Sequence, residues 1–283
     1  MSAETATYSA AGDFLRDGLN TNALSLPVLP ETAQKIYTLS QDEEADMSEL
    51  SELIHHDQSL AGYVLKVANS AAYGGSESVV TLQQAVSRIG MKLLGSIALA
   101  ISMQKTAHGP KEYDERSKAY FRHALLAGAI SKELARLLRR NVEGQFLCGM
   151  MHNMGKPVVL KLVAEWAQKN DTKLALEDLD RLIEQFHLDM GRALAEAWQL
   201  PQQIQITSQY YQNPEEAPRF LDETRMTHLA CRLSHWFIES EDGDASSILD
   251  DPNFEYLNIY PDDAEELVNK REEFLSEAQT MEI

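Results

Sequence analysis

Residues 91–103 are apolar on almost every side of a helical wheel, and a helix without a polar face has to be wrapped by other elements. The longest apolar tract, 93–103, falls short of the ~20 residues that a membrane-spanning helix needs, so protein is the expected wrapping. The surrounding patterns are helical as well. Ala33, Ile36, Tyr37 and Leu39 form one stripe, and Leu50, Leu53 and Ile54 a second. Leu60, Tyr63, Val64 and Val67 form a third, and Leu82, Ala85, Val86 and Ile89 a fourth, with Gly74-Gly75 breaking the chain between them. No period-2 alternation stands out, so the expected fold class is all-α.

Two packed helical subdomains are expected, 26–108 and 109–218, with Gly109-Pro110 as the boundary. Residues 1–25 read as a weakly ordered N-terminal arm with one short helix around 14–19. Leu26-Pro27-Val28-Leu29-Pro30 should be extended, because two prolines disfavour a helix there. Beyond the boundary, helices are expected at 111–139, 143–152, 156–168, 176–186, 189–199, 202–211 and 223–238. Residues 219–283 read as C-terminal helices with an acidic tail. Within them 241–252 is turn-rich, and a charged helix over 262–278 is expected on the solvated surface.

Charge narrows the function classes. With 44 acidic against 25 basic residues the net charge is −19, which repels nucleic-acid backbones and anionic membranes, so neither is an expected partner. The two cysteines, Cys148 and Cys231, both lie in apolar stretches and read as buried thiols of a reducing cytoplasm. The N-terminal residues lack the layout of a signal peptide.

One stretch stands out: Gly149-Met150-Met151-His152-Asn153-Met154-Gly155-Lys156-Pro157. It resembles the signature of the HD phosphohydrolase superfamily, in which an apolar helix ends in His-Asp, then an apolar residue, Gly and Lys. The pairing suits a divalent metal, since imidazole supplies nitrogen and carboxylate supplies charge that can bridge two ions. Metal-bound water then attacks a phosphate ester. Here Asn153 stands at the aspartate position.

The wider chain resembles the HDOD (HD-related output domain) branch of that superfamily over residues 26–218. Leu26-Pro27-Val28-Leu29-Pro30 is similar to its opening Leu-Pro-x-Leu-Pro. Asp57 to Leu60 and Leu65-Lys66-Val67-Ala68-Asn69-Ser70 resemble its Asp-Pro-x-Leu and Leu-Lys-x-Ala-Asn-Ser segments. Ala85 to Gly90 is similar to Ala-Ile-x-x-Leu-Gly, and Glu196 to Pro201 to Glu-x-Trp-x-Leu-Pro. The resemblance implies that the second subdomain is an HD-like helical bundle and that the protein serves bacterial signal transduction.

Carried over position by position, the family's metal ligands fall on His123, His152, Asn153, His187, Tyr211, Gln212 and Cys231. Three are histidines and none is a carboxylate. The expectation is therefore a dismantled site with no catalytic residue and no resident metal; any divalent ion would lie between His123 and His152. Three readings stay open. The first is a non-catalytic regulatory domain working through contacts with other signalling proteins, self-association included. The second is a metal-dependent phosphohydrolase with an altered site. The third is a nucleotide or cyclic-dinucleotide sensor without turnover, in which Lys156 and Arg122 hold phosphate. No receiver, kinase or cyclase segment is visible, so input is expected from another molecule. Asp57 or Ser59 is expected to cap a helix, Asn69 and Ser70 to make helix-terminal hydrogen bonds, and His228 and His235 to serve packing.

Overall fold

Side-chain caps punctuate the first half of the chain. Asp46 accepts from the Ser48 amide, Asp57 from Leu60 and Asn141 from Gly144, while Thr81 and Gln84 form a reciprocal capping box. The computed structural model describes residues 3–75, 77–106, 111–239 and 245–282. In chain order its α-helices are α1 (Ala3–Thr21), α2 (Glu31–Gln41), α3 (Met47–His55), α4 (Gln58–Ala68), α5 (Leu82–Ile89), α6 (Met91–Thr106), α7 (Asp114–Leu137) and α8 (Val142–Met151). They continue with α9 (Gly155–Lys169), α10 (Leu176–Ala197), α11 (Gln202–Tyr210), α12 (Leu221–Glu239), α13 (Ser246–Leu249), α14 (Pro252–Tyr256), α15 (Pro261–Asn269) and α16 (Arg271–Met281). No strand occurs among the described residues, so the all-α class holds. No single helix among them is long and apolar enough to cross a membrane.

The apolar helix α6 is wrapped as its sequence requires. It packs against α2, α4 and α5 and reaches α8, and Leu94, Ile97, Leu99, Ile101 and Met103 are buried. The chain turns by 111° between α5 and α6. Around α7 lie α8, α12 and α16, while α9 lies along α10 and α10 along α11. Two motifs far apart in sequence meet: the Trp198 indole donates to the Pro27 carbonyl at 2.8 Å, tying the extended 26–30 segment to the end of α10. Asn69 clips the loop after α4, donating to the Leu65 and Val79 carbonyls and accepting from the Val79 amide, and the Ser70 hydroxyl bonds the Val67 carbonyl.

Three expectations are corrected. In place of an arm, residues 3–21 form one helix docked on α10 and α9. Ala11 and Leu15 are buried, Phe14 stacks on Trp166, and the Tyr8 hydroxyl donates to Gln185 at 3.3 Å. In place of two helices over 176–199 there is one, since neither His187 nor Leu188 breaks a helix. The final charged helix is two, α15 and α16, and α16 is no surface element. It packs on α7 and α4 and buries Phe274, Glu277, Ala278 and Met281. Its burial is permitted because Glu277 finds an internal cation, Lys132. Gly109-Pro110 and residues 241–244 of the turn-rich run lie outside the described residues.

Candidate functional site

Two glycines in the His-Asn stretch set how closely the walls of the site approach. A Cβ at Gly149 would lie 2.5 Å from the Ala127 carbonyl oxygen, and one at Gly155 only 1.8 Å from that of His187. Any other residue would drive α8 off α7, or the first turn of α9 off α10. The turn joining α8 to α9 is thereby held between α7 and α10, and that turn carries His152.

Six side chains converge there. His123 comes from α7, His152 from the α8–α9 turn, His187 from the middle of α10, Tyr211 from the end of α11, and Cys231 and His235 from α12. The His123 ring centroid lies 5.2 Å from that of His152 and 4.2 Å from that of His235. Tyr211 meets His152 edge-on at 4.7 Å and His187 at 6.3 Å. The Cys231 Sγ stands 3.5 Å from His123 Nε2.

The hydrogen bonds fix the tautomers, since a carbonyl can only accept. His152 Nδ1 donates to the Gly149 carbonyl, so Nε2 carries the lone pair; it is fully buried and has no partner. His187 Nδ1 faces the Ile183 and Glu184 carbonyls at 3.0 and 3.1 Å. Its Nε2 accepts from the Tyr211 hydroxyl at 3.1 Å and from the Gln212 amide at 3.2 Å. The lone pair of His187 is thus already used by the protein. His228 donates through Nδ1 to the Tyr211 carbonyl at 2.8 Å, so that nitrogen is spent on the backbone.

Burial sets the charge state. It pushes the His123 imidazolium well below the ordinary histidine range, helped by neighbouring His152, His235 and Lys156. Desolvation takes His152 down to about 3 and lowers His187 and His235. The same burial raises the Cys231 thiol to about 12 and the Tyr211 phenol well above its usual value. Near neutral pH the cleft is a set of uncharged nitrogen, sulfur and hydroxyl groups.

The other carried-over residues point elsewhere. Asn153 donates through its amide nitrogen to the Tyr120 carbonyl at 3.1 Å, and its buried Oδ1 is unpaired. Lys156 is paired with Glu184 at 2.7 Å, and Arg122 with Glu282 at 2.7 Å, so a phosphate would have to compete with a carboxylate for either cation. His235, read from sequence as packing, is a member of the cluster. Its spacing from Cys231, one helical turn, was the available signal. Among the described residues the group of ligand-type side chains able to share one ion is His123, Cys231 and His235, whose donor atoms lie within 4.8 Å of one another. A hard hydrolytic dication seeks carboxylate oxygen. With Asn153, Tyr211, Gln212 and Cys231 at the carried-over positions, the residues present do not fit one.

The sequence model of the HDOD domain family matches residues 26–214. A Treponema pallidum protein of uncharacterised function is 24% identical over 226 residues, which is 76% of this chain; the chain spans 43% of that relative's length. Among solved structures, a Shewanella amazonensis protein provisionally named a metal-dependent phosphohydrolase superposes with a TM-score of 0.77 at 20% identity, covering 98% of this chain and 100% of that one. An HDOD domain protein of unknown function from Geobacter sulfurreducens gives 0.73 at 19% identity, covering 96% and 98%. A Marinobacter aquaeolei protein provisionally named for signal transduction gives 0.66 at 22% identity, covering 97% of this chain and 66% of that one. At these identities the likeness is one of fold.

Proposed function

Because this chain belongs to the HDOD domain family, we propose that it is a non-catalytic module of bacterial signal transduction, built on a phosphohydrolase scaffold and acting through contacts with other signalling proteins. The observation that carries this reading is the state of His187. In a working two-metal cleft its Nε2 lone pair would face an ion; here Tyr211 and Gln212 both donate to it. Asn153 and Cys231 supply no anionic oxygen, and without a hard dication there is no activated water for attack on a phosphoester. The provisional names of the Marinobacter and Shewanella proteins point to the two sides of this choice, signalling and hydrolysis.

The test is turnover. The purified chain, supplied in turn with Mg2+, Mn2+ and Fe2+, is assayed against a phosphomonoester, a phosphodiester and a cyclic dinucleotide. The expected rate is the same as that of His152→Ala for every combination. Hydrolysis that His152→Ala abolishes would overturn the reading. Saturable binding of the cyclic dinucleotide without hydrolysis would replace protein contact with nucleotide sensing.

A further inference from the structure

We propose that His123, Cys231 and His235 bind Zn2+. Cys231 and His235 stand one turn apart on α12 and so share a face, and α12 packs along α7, which carries His123. Zinc bonds of ~2.3 Å to sulfur and ~2.0–2.1 Å to nitrogen, set tetrahedrally, place neighbouring ligand atoms ~3.5 Å apart. The Cys231 Sγ and His123 Nε2 already stand 3.5 Å apart, and the His235 donor lies within 4.8 Å of both. Closing the third ligand asks only for movement of His235, whose side chain is 57% exposed and which gives the ion a route from solvent.

An independent observation points to a ligand in the same place. His152 is completely buried, its Nδ1 is committed to the Gly149 carbonyl, and its Nε2 has no partner. A backbone acceptor at one ring nitrogen and a bare lone pair at the other is how metal-binding histidines are oriented. With its ring 5.2 Å from that of His123, His152 stands beside the proposed ligands as a candidate for the fourth position.

The donor set chooses the metal. Two or three neutral imidazoles with one thiol suit a borderline-soft ion and offer nothing to Mg2+ or Ca2+. Binding forms a zinc–sulfur bond and breaks the Cys231 S–H bond, and the proton leaves to water. The inference rests on the reading above in one respect, the loss of the hard-metal ligands. The two fail separately, since turnover breaks that reading and absence of zinc binding breaks this one.

The experiment uses the full chain, stripped with chelator and titrated with Co2+ and then Zn2+. One equivalent of cobalt is expected to bind with a thiolate-to-cobalt absorption in the near ultraviolet, and zinc is expected to displace it. Cys231→Ser should remove that band, while Cys148→Ser, at the fully buried thiol, should leave it. His235→Ala, at an exposed position where folding is not at stake, should weaken zinc by more than the ~10-fold that losing a ligand's supporting hydrogen bond costs. Circular dichroism checks that each variant keeps its helix content. A stripped chain that takes up neither ion, a band that survives Cys231→Ser, or an affinity unmoved by His235→Ala would overturn the proposal.

Discussion

α7 carries two buried polar stations with opposite characters. His123 and Lys132 are nine residues apart, which at 100° per residue puts them on opposite faces and ~13.5 Å apart along the axis. On the Lys132 side the polar groups close on themselves. The ammonium donates to Glu277 and to the Tyr73 hydroxyl, and that hydroxyl donates to Glu277 at 2.9 Å. Lys132 and Glu277 are only 4% and 7% exposed, and the triangle joins the loop after α4 to α7 and α16. On the His123 side closure is incomplete: His152 Nε2 and Asn153 Oδ1 have no partner. A buried network in which donors meet acceptors holds a fold together, whereas a buried lone pair left over is a cost that a ligand can relieve.

Three measurements test that contrast. The largest effect is expected from Glu277→Ala, which strands the Lys132 ammonium in a place where desolvation already lowers its pKa. A loss of about 3–5 kcal/mol in urea unfolding is expected, with most of it recovered when Lys132 and Glu277 are both replaced by Met. A loss no greater than that of an exposed salt bridge would remove the triangle from the architecture.

The second measurement is the acid limb of stability in chelator-treated protein. Burial depresses the folded-state pKa values of His123, His152 and His187, so below the unfolded value near 6.5 the unfolded chain binds more protons. Stability from these groups is fully present above pH ~6.5 and falls as pH drops from there towards the folded values, about 3 for His152. Each such histidine costs about 1.4 kcal/mol per pH unit within its window. His152→Asn should flatten the limb between pH 6 and 4 as followed by unfolding midpoints, at roughly that slope; an unchanged slope would mean that His152 is not held neutral. The smallest effect is expected from Tyr211→Phe, which takes one of two donors from His187 Nε2 and should cost about 1 kcal/mol in the same unfolding assay. A cost equal to that of Glu277→Ala would erase the difference between the two stations.

The sequence was legible where a residue's neighbours in the chain decide its role. Asp57 caps α4, Asn69 and Ser70 close its end, and the wrapped helix 91–103 could be read from pattern alone. The carried-over motif gathered His123, His152, His187, Tyr211 and Cys231 into one cleft. What escaped depends on distant partners. The charges of Lys156 and Arg122 are answered by Glu184 and Glu282, 28 and 160 residues away. α1 is rich in small and polar residues, so its apolar stripe is narrow and its order comes from docking on α10. Glu277 reads as one more charge on a charged helix until Lys132 is seen opposite it. His235 was readable, because 228, 231 and 235 fall on one helical face and set a thiol between the two histidines.

The continuity of α7 has a mechanical meaning. Its 24 residues run as one unbroken helix, so the side chain that looks into the cleft, His123, and the one that grips the seam with α16, Lys132, are mounted on the same element. Were the two stations coupled through it, reciprocity would require that whatever loosens the seam with α16 also alters how the His123 side holds a ligand.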